Sequence, residues 1–182
     1  MTSRWMLEVQ KHRPVDVEWR VLSLYLLNEG RDLDADYRAH IDESHLGGRV
    51  VAGAMATAPD KVQALYTAIG TRFHPGGRQN DRAAIAEAIT EVGLEEGLID
   101  RAEAGEFDEK MAESTRSALD LVGNDVGVPV ISINGASFFG PVVTPAPKGE
   151  DALRLWDGCV LAASVPGFFE LKRSRDQGPI FD

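Results

Sequence analysis

Cys159 is the only cysteine among 182 residues, so no internal disulfide can form and any thiol chemistry native to these residues rests on one sulfur. It lies in "LWDGCVLAAS", inside an apolar helical stripe, with no adjacent His or Arg to favour the thiolate. That setting describes a small core residue, not a nucleophile. The four histidines offer no metal site: His40 and His45 are five apart and do not share a helix face, and His12 and His74 have no ligand-spaced neighbours. Neither a G-x-x-x-x-G-K-S/T loop nor a G-x-G-x-x-G turn is present, which predicts no nucleotide phosphate site. What remains is a backbone feature. "GNDVGVPVISINGASFFGP", residues 123–141, sets Pro129 one residue into a β-branched apolar run. Proline cannot donate to a sheet ladder and belongs at a strand start or edge.

The elements around this stretch follow from periodicity and punctuation. Trp5, Met6 and Val9 recur at helical spacing from the first residues, with Thr2 or Ser3 available as a cap. "VDVEWRVLSL" alternates Val15, Val17, Trp19 and Val21 with polar residues and reads as a strand that ends before "NEGRD". Residues 34–41, 45–57, 60–73, 81–92, 98–104 and 107–122 read as helices; Val62, Leu65, Tyr66 and Ile69 illustrate the stripe. Asn134-Gly135 between two apolar runs is a hairpin signal, since both residues accept the positive φ of a type I′ turn. "PKGEDALRLWDGCVLAAS" reads as a helix packed on the sheet, with acidic residues in its first turn.

Composition excludes several classes. A hydrophobic fraction of 43% with 26% charged residues is that of a globular protein. A net charge of −10 disfavours nucleic acid and anionic membranes as partners. No apolar run is long enough to span a bilayer, because Pro166 and Gly167 interrupt the longest. The reading is a cytoplasmic protein.

The order helix, strand, helical block, hairpin, helix, together with "TSRWMLEV", "LSLYLLNEGRD", "LYTAIGTRFH", "GNDVGVPVISING", "FFGPV" and "LWDGCVLAASVPGFFELKR", resembles the DsbA-like thioredoxin-fold oxidoreductases, specifically the actinobacterial mycothiol-dependent nitroreductase branch. The resemblance implies an α/β, thioredoxin-like fold of DsbA type with a large all-helical insertion. Residues 1–33 and 123–182 would form the thioredoxin-like domain and residues 34–122 a helical lid. It implies a cis Val128-Pro129 bond, where the residues alone leave trans and cis open. It also implies thiol-disulfide exchange or reduction dependent on a low-molecular-weight, mycothiol-like thiol, with no tightly bound cofactor.

The resemblance carries site residues with it. Val128 and Pro129 would hold a thiol or disulfide substrate as an added strand; Asn28, Tyr37 and His74 would line the pocket; Trp5 would form an aromatic wall or simply pack in the core. Relatives begin with a β-strand and a Cys-Pro-x-Cys type motif. This sequence starts just after the matching position, so the first strand and the redox cysteine are expected to be missing and the chain as it stands redox-inactive. The open sheet edge would then take a partner strand or a second copy. Two alternatives use other chemistry: a glutathione-transferase-kappa or hydroxychromene-carboxylate-isomerase-like enzyme that binds a thiol without a redox cysteine pair, and a non-catalytic protein that completes its sheet with a partner strand.

Overall fold

The computed structural model describes residues 1–181. It is mostly helical, with one small antiparallel sheet. The order is α1 (Thr2–Gln10), α2 (Leu24–Leu27), α3 (Ala35–Glu43), α4 (His45–Thr57), a 3-10 turn (Pro59–Lys61), α5 (Val62–Phe73), α6 (Arg82–Glu91), α7 (Leu98–Glu103), α8 (Asp108–Val122), β1 (Val130–Ile133), β2 (Ala136–Phe139) and α9 (Gly149–Ala163). The chain divides into two compact units, residues 1–18 with 119–182, and residues 19–118. Residues 19–33, grouped by the sequence reading with the terminal segments, here belong to the helical unit.

In the first unit, α1 packs on α9 rather than α9 on the sheet alone. Trp5 is fully buried, its indole N–H donates to the Ala152 carbonyl at 2.9 Å, and its ring meets Trp156 at 6.2 Å. Two polar ties run beside it. A Glu8 oxygen accepts from the Gly149 N–H at 3.2 Å, placing a carboxylate at the amino end of α9 where the dipole favours negative charge. Arg13 grips Asp157 through two bonds, at 3.2 and 2.8 Å. The hairpin pairs Val130 with Phe139 and Ile133 with Ala136. Its turn has Asn134 at φ 51° and Gly135 at φ 90°, the left-handed pair that a type I′ turn requires.

The helical unit is built around Val50, Leu65, Ile85, Ile89, Leu98 and Met111, with Ala52, Ala54, Ala68, Ala88 and Ala102 buried among them. Small residues at these positions let α4 approach α5 and α7 closely. Asp34 caps α3 by accepting from the Asp36 and Tyr37 N–H groups, and Asp81 caps α6 through Ala83. The exposed ion pairs of Arg72, Arg78, Arg82 and Arg101 with acidic residues of α6, α7 and the adjoining loops add register more than stability.

Two local expectations are corrected. Residues 14–23 form no strand among the described residues. An alternating pattern needs a ladder partner, and here the backbone bonds to side chains instead: Ser114 Oγ donates to the Val21 carbonyl at 2.6 Å, and the Ser23 N–H donates to Thr115 Oγ1 at 3.1 Å. Ser23 then caps the unforeseen short helix α2 through the Leu26 N–H. Neither Thr2 nor Ser3 caps α1, whose N-cap is Met1 without a side-chain bond. Thr2 Oγ1 is committed elsewhere, to the Pro141 carbonyl at 2.8 Å.

Gly53 on α4 tests the close packing. A Cβ there would sit 2.7 Å from Phe107 Cε2 and 2.8 Å from Leu98 Cδ1, and the Arg101 guanidinium lies over the same Phe107 ring at 5.1 Å. Helix propensity favours Gly53→Ala by about 1 kcal/mol, but overpacking a filled core costs about 1–3 kcal/mol. We expect a net loss of up to about 2 kcal/mol in urea unfolding; a stabilised variant would show that the close approach is not a constraint.

Candidate functional site

The candidate residues divide between the two units. In the first, Val128 precedes β1 and the Val128–Pro129 bond is cis. The Pro129 carbonyl accepts from the Gly140 N–H at 2.8 Å, which extends the hairpin by one pair beyond its last ladder residues. Gly140 is followed by Pro141, whose carbonyl accepts from Thr2 in the first turn of α1. Pro129, Gly140, Pro141 and Thr2 thus form one continuous chain of contacts between the strand start and the amino end of α1. Sequence reasoning missed this connection; the Gly140-Pro141 pair directly after the hairpin was the available signal.

Register fixes what this edge offers. In a two-residue hairpin the hydrogen-bonded pairs alternate, so Ile133 and Ile131 face β2 with their polar groups while Ser132 and Val130 turn theirs to the open edge. Val128 is 45% exposed, and its N–H and C=O have no hydrogen-bond partner among the described residues. An extended ligand could take both groups as an added strand. Trp5 lies one turn along α1 from Thr2, but it is sealed in the core with its donor already used, so in this structure it is a packing pin and not a wall open to a ligand.

In the helical unit, Asn28 ends α2, not a strand. It is buried, its Nδ2 donates to the Leu24 carbonyl at 2.8 Å, and its own carbonyl accepts from Arg38 at 3.1 Å. Its amide therefore closes a helix end. Tyr37 stands exposed in the first turn of α3, beside Arg38. His74 is exposed at the C-cap of α5, and the loop that follows meets the far end of α3 through Gln79 and His40 at 3.3 Å.

Over residues 1–173 the chain matches the family described as Rv2466c-like, mycothiol-dependent nitroreductase Rv2466c. The chain belongs to this family. Its members are described by an oxidoreductase activity that draws on a low-molecular-weight thiol. The chain is also similar to the uncharacterized protein Rv2286c of Mycobacterium tuberculosis (strain ATCC 25618 / H37Rv), with 26% identity over 182 residues covering 98% of this chain and 78% of the relative. Among the described residues of this Rv2466c-like protein, no helix is long and apolar enough to cross a membrane.

Two titratable groups complete the picture. Cys159 is half-buried on α9, and burial pushes its thiol above the ordinary range, away from the thiolate that attack requires. We expect iodoacetamide to modify native Cys159 about tenfold or more slowly than a free cysteine at neutral pH; modification at the free rate would contradict this placement.

His45 opens α4 with its ring 4.1 Å from Tyr25, and its buried Nδ1 has no partner among the described residues. Burial, then the Arg49 charge, lower its pKa from 6.5, while Asp108 and Asp42 oppose the shift. A lowered folded-state pKa means the unfolded chain takes up the proton first as pH falls. The His45 contribution is thus fully present above about pH 6.5 and is lost as pH falls through the depressed folded value. The melting temperature should drop on acidification from pH 7 to 5.5, and His45→Phe, which keeps the ring against Tyr25, should flatten that drop. An unchanged slope in the variant would exclude His45 as its source.

Proposed function

We propose that this protein is a low-molecular-weight-thiol-dependent reductase of the mycothiol-dependent nitroreductase type, built on a DsbA-like thioredoxin fold, and that Val128 and Pro129 form its thiol-binding edge. The observation that carries this reading is the open backbone of Val128, joined through Gly140 and Pro141 to the first turn of α1. The amide-bearing body of a mycothiol-like thiol would lie along that edge as a short added strand, exchanging hydrogen bonds with the Val128 N–H and C=O.

The adjacent amino end of α1, where no side chain takes up the free N–H groups, would favour the thiolate over the thiol at the ligand's sulfur. Reduction of an acceptor by two electrons then consumes two thiols: each gives up a proton, the two sulfurs join as a disulfide, and the acceptor gains the electron pair and both protons. Cys159 takes no part, since burial holds it protonated.

Titration of isotopically labelled protein with reduced mycothiol tests the reading directly. The Val128 amide resonance should shift saturably, with the Val130 amide following, while Leu65 and Ile89 in the helical core stay fixed. Shifts confined to residues away from the 128–132 edge, or none at millimolar thiol, would sink the assignment.

A further inference from the structure

The helical unit holds one side chain that fits its surroundings in a single protonation state. His45 is the first residue of α4, its ring lies 4.1 Å from that of Tyr25 with the planes inclined by 40°, and its Nδ1 is buried without a hydrogen-bond partner. An uncharged ring can leave one nitrogen as a bare acceptor, whereas a protonated ring must donate from both. A charged donor buried without an acceptor is the costlier case. The Tyr25 face would attract the cation, but it offers the Nδ1–H no lone pair.

Four groups face the ring. Tyr25 of α2 packs on it, Arg49 lies one turn along α4 and opposes a second cation, and Asp108 of α8 and Asp42 of α3 favour one. Asp108 has both carboxylate oxygens engaged by Arg49, at 2.6 Å each. Asp42 is exposed and makes no ion pair among the described residues, so it is the acceptor open to a charged ring. To bond Asp42 the ring must turn, and turning takes it off Tyr25.

That loss falls on α2. Before the helix, Ser114 Oγ donates to the Val21 carbonyl and the Ser23 N–H donates to Thr115 Oγ1; after it, Arg38 donates to the Asn28 and Arg31 carbonyls at 3.1 and 2.8 Å. Between these ties the helix is held down by Leu27, its one buried residue, and by Tyr25 on His45. A helix of four residues has no stability of its own, so losing one of its two contacts frees it to open while the ties on either side persist.

We propose that His45 is an acid-operated latch on α2: uncharged, its ring packs on Tyr25 and holds the helix down; protonated, it turns to Asp42 and lets residues 24–28 open. The latch lies wholly within the helical unit and draws nothing from the thiol edge proposed above, so the two can fail independently.

Amide exchange and proton resonances of the whole chain between pH 7.5 and 5 test it. The Leu27 and Asn28 amides should exchange through an opening at least about tenfold more frequent than the one that exposes Leu65 and Ile89 in the core. Below about pH 6.5 that opening should grow by up to about tenfold per pH unit, the slope of one proton taken up. His45→Phe, which keeps a ring on Tyr25, should remove this growth. As His45 titrates, its contact with Tyr25, read by the nuclear Overhauser effect, should fade at the same midpoint, and Asp42→Asn, an exposed change, should lower that midpoint. Exchange of Leu27 and Asn28 only at the core rate, a pH response that survives His45→Phe, a protonated His45 still in contact with Tyr25, or a midpoint indifferent to Asp42→Asn would each overturn the latch.

Discussion

The first unit depends on a single buried indole. Trp5 fills the contact between α1 and α9 and directs its one donor to the Ala152 carbonyl, so that neither the ring nor the N–H is left unsatisfied. That bond sets the rotation of α1 about its axis. Thr2, one turn earlier, is then held where its hydroxyl meets the Pro141 carbonyl, and Glu8, one turn later, reaches the amino end of α9. Removal of the indole would leave a void at the helix contact, a loss of about 3–5 kcal/mol by analogy with other large core truncations. The placement of the proline-bearing loop therefore follows from a packing decision made inside α1.

The helical unit obeys a different constraint. Its helices are short and rich in alanine and glycine, so they are stable only by packing closely, and close packing leaves no room to adjust. Gly53 against Phe107 and Leu98 is one such instance. The unpartnered ring nitrogen of His45 is the unit's one buried side-chain polar atom without a protein partner among the described residues.

Family membership and geometry bear on function from separate directions. The family description names a thiol and an oxidoreductase activity. The structure contributes an edge with an open backbone, a helix end beside it and a half-buried cysteine that burial keeps out of the chemistry.

Local patterns were legible wherever local physics decides. The stripe Val62, Leu65, Ile69 forms a helix because one face can bury itself, Asp34 and Asp81 cap because their carboxylates reach nearby N–H groups, and Asn134-Gly135 turns because both residues tolerate positive φ. Tertiary structure decided what depends on a distant partner. Residues 14–23 alternate like a strand, but no ladder partner meets them, and Ser114 and Thr115 satisfy Val21 and Ser23 from far along the chain. Thr2 resembled a cap and became a tie to Pro141, and Asn28, expected to end a strand, ends α2. A hydrogen-bonding side chain declares its capacity in the sequence. Its choice among competing partners is made only when folding brings them within reach and removes the water that would otherwise satisfy it.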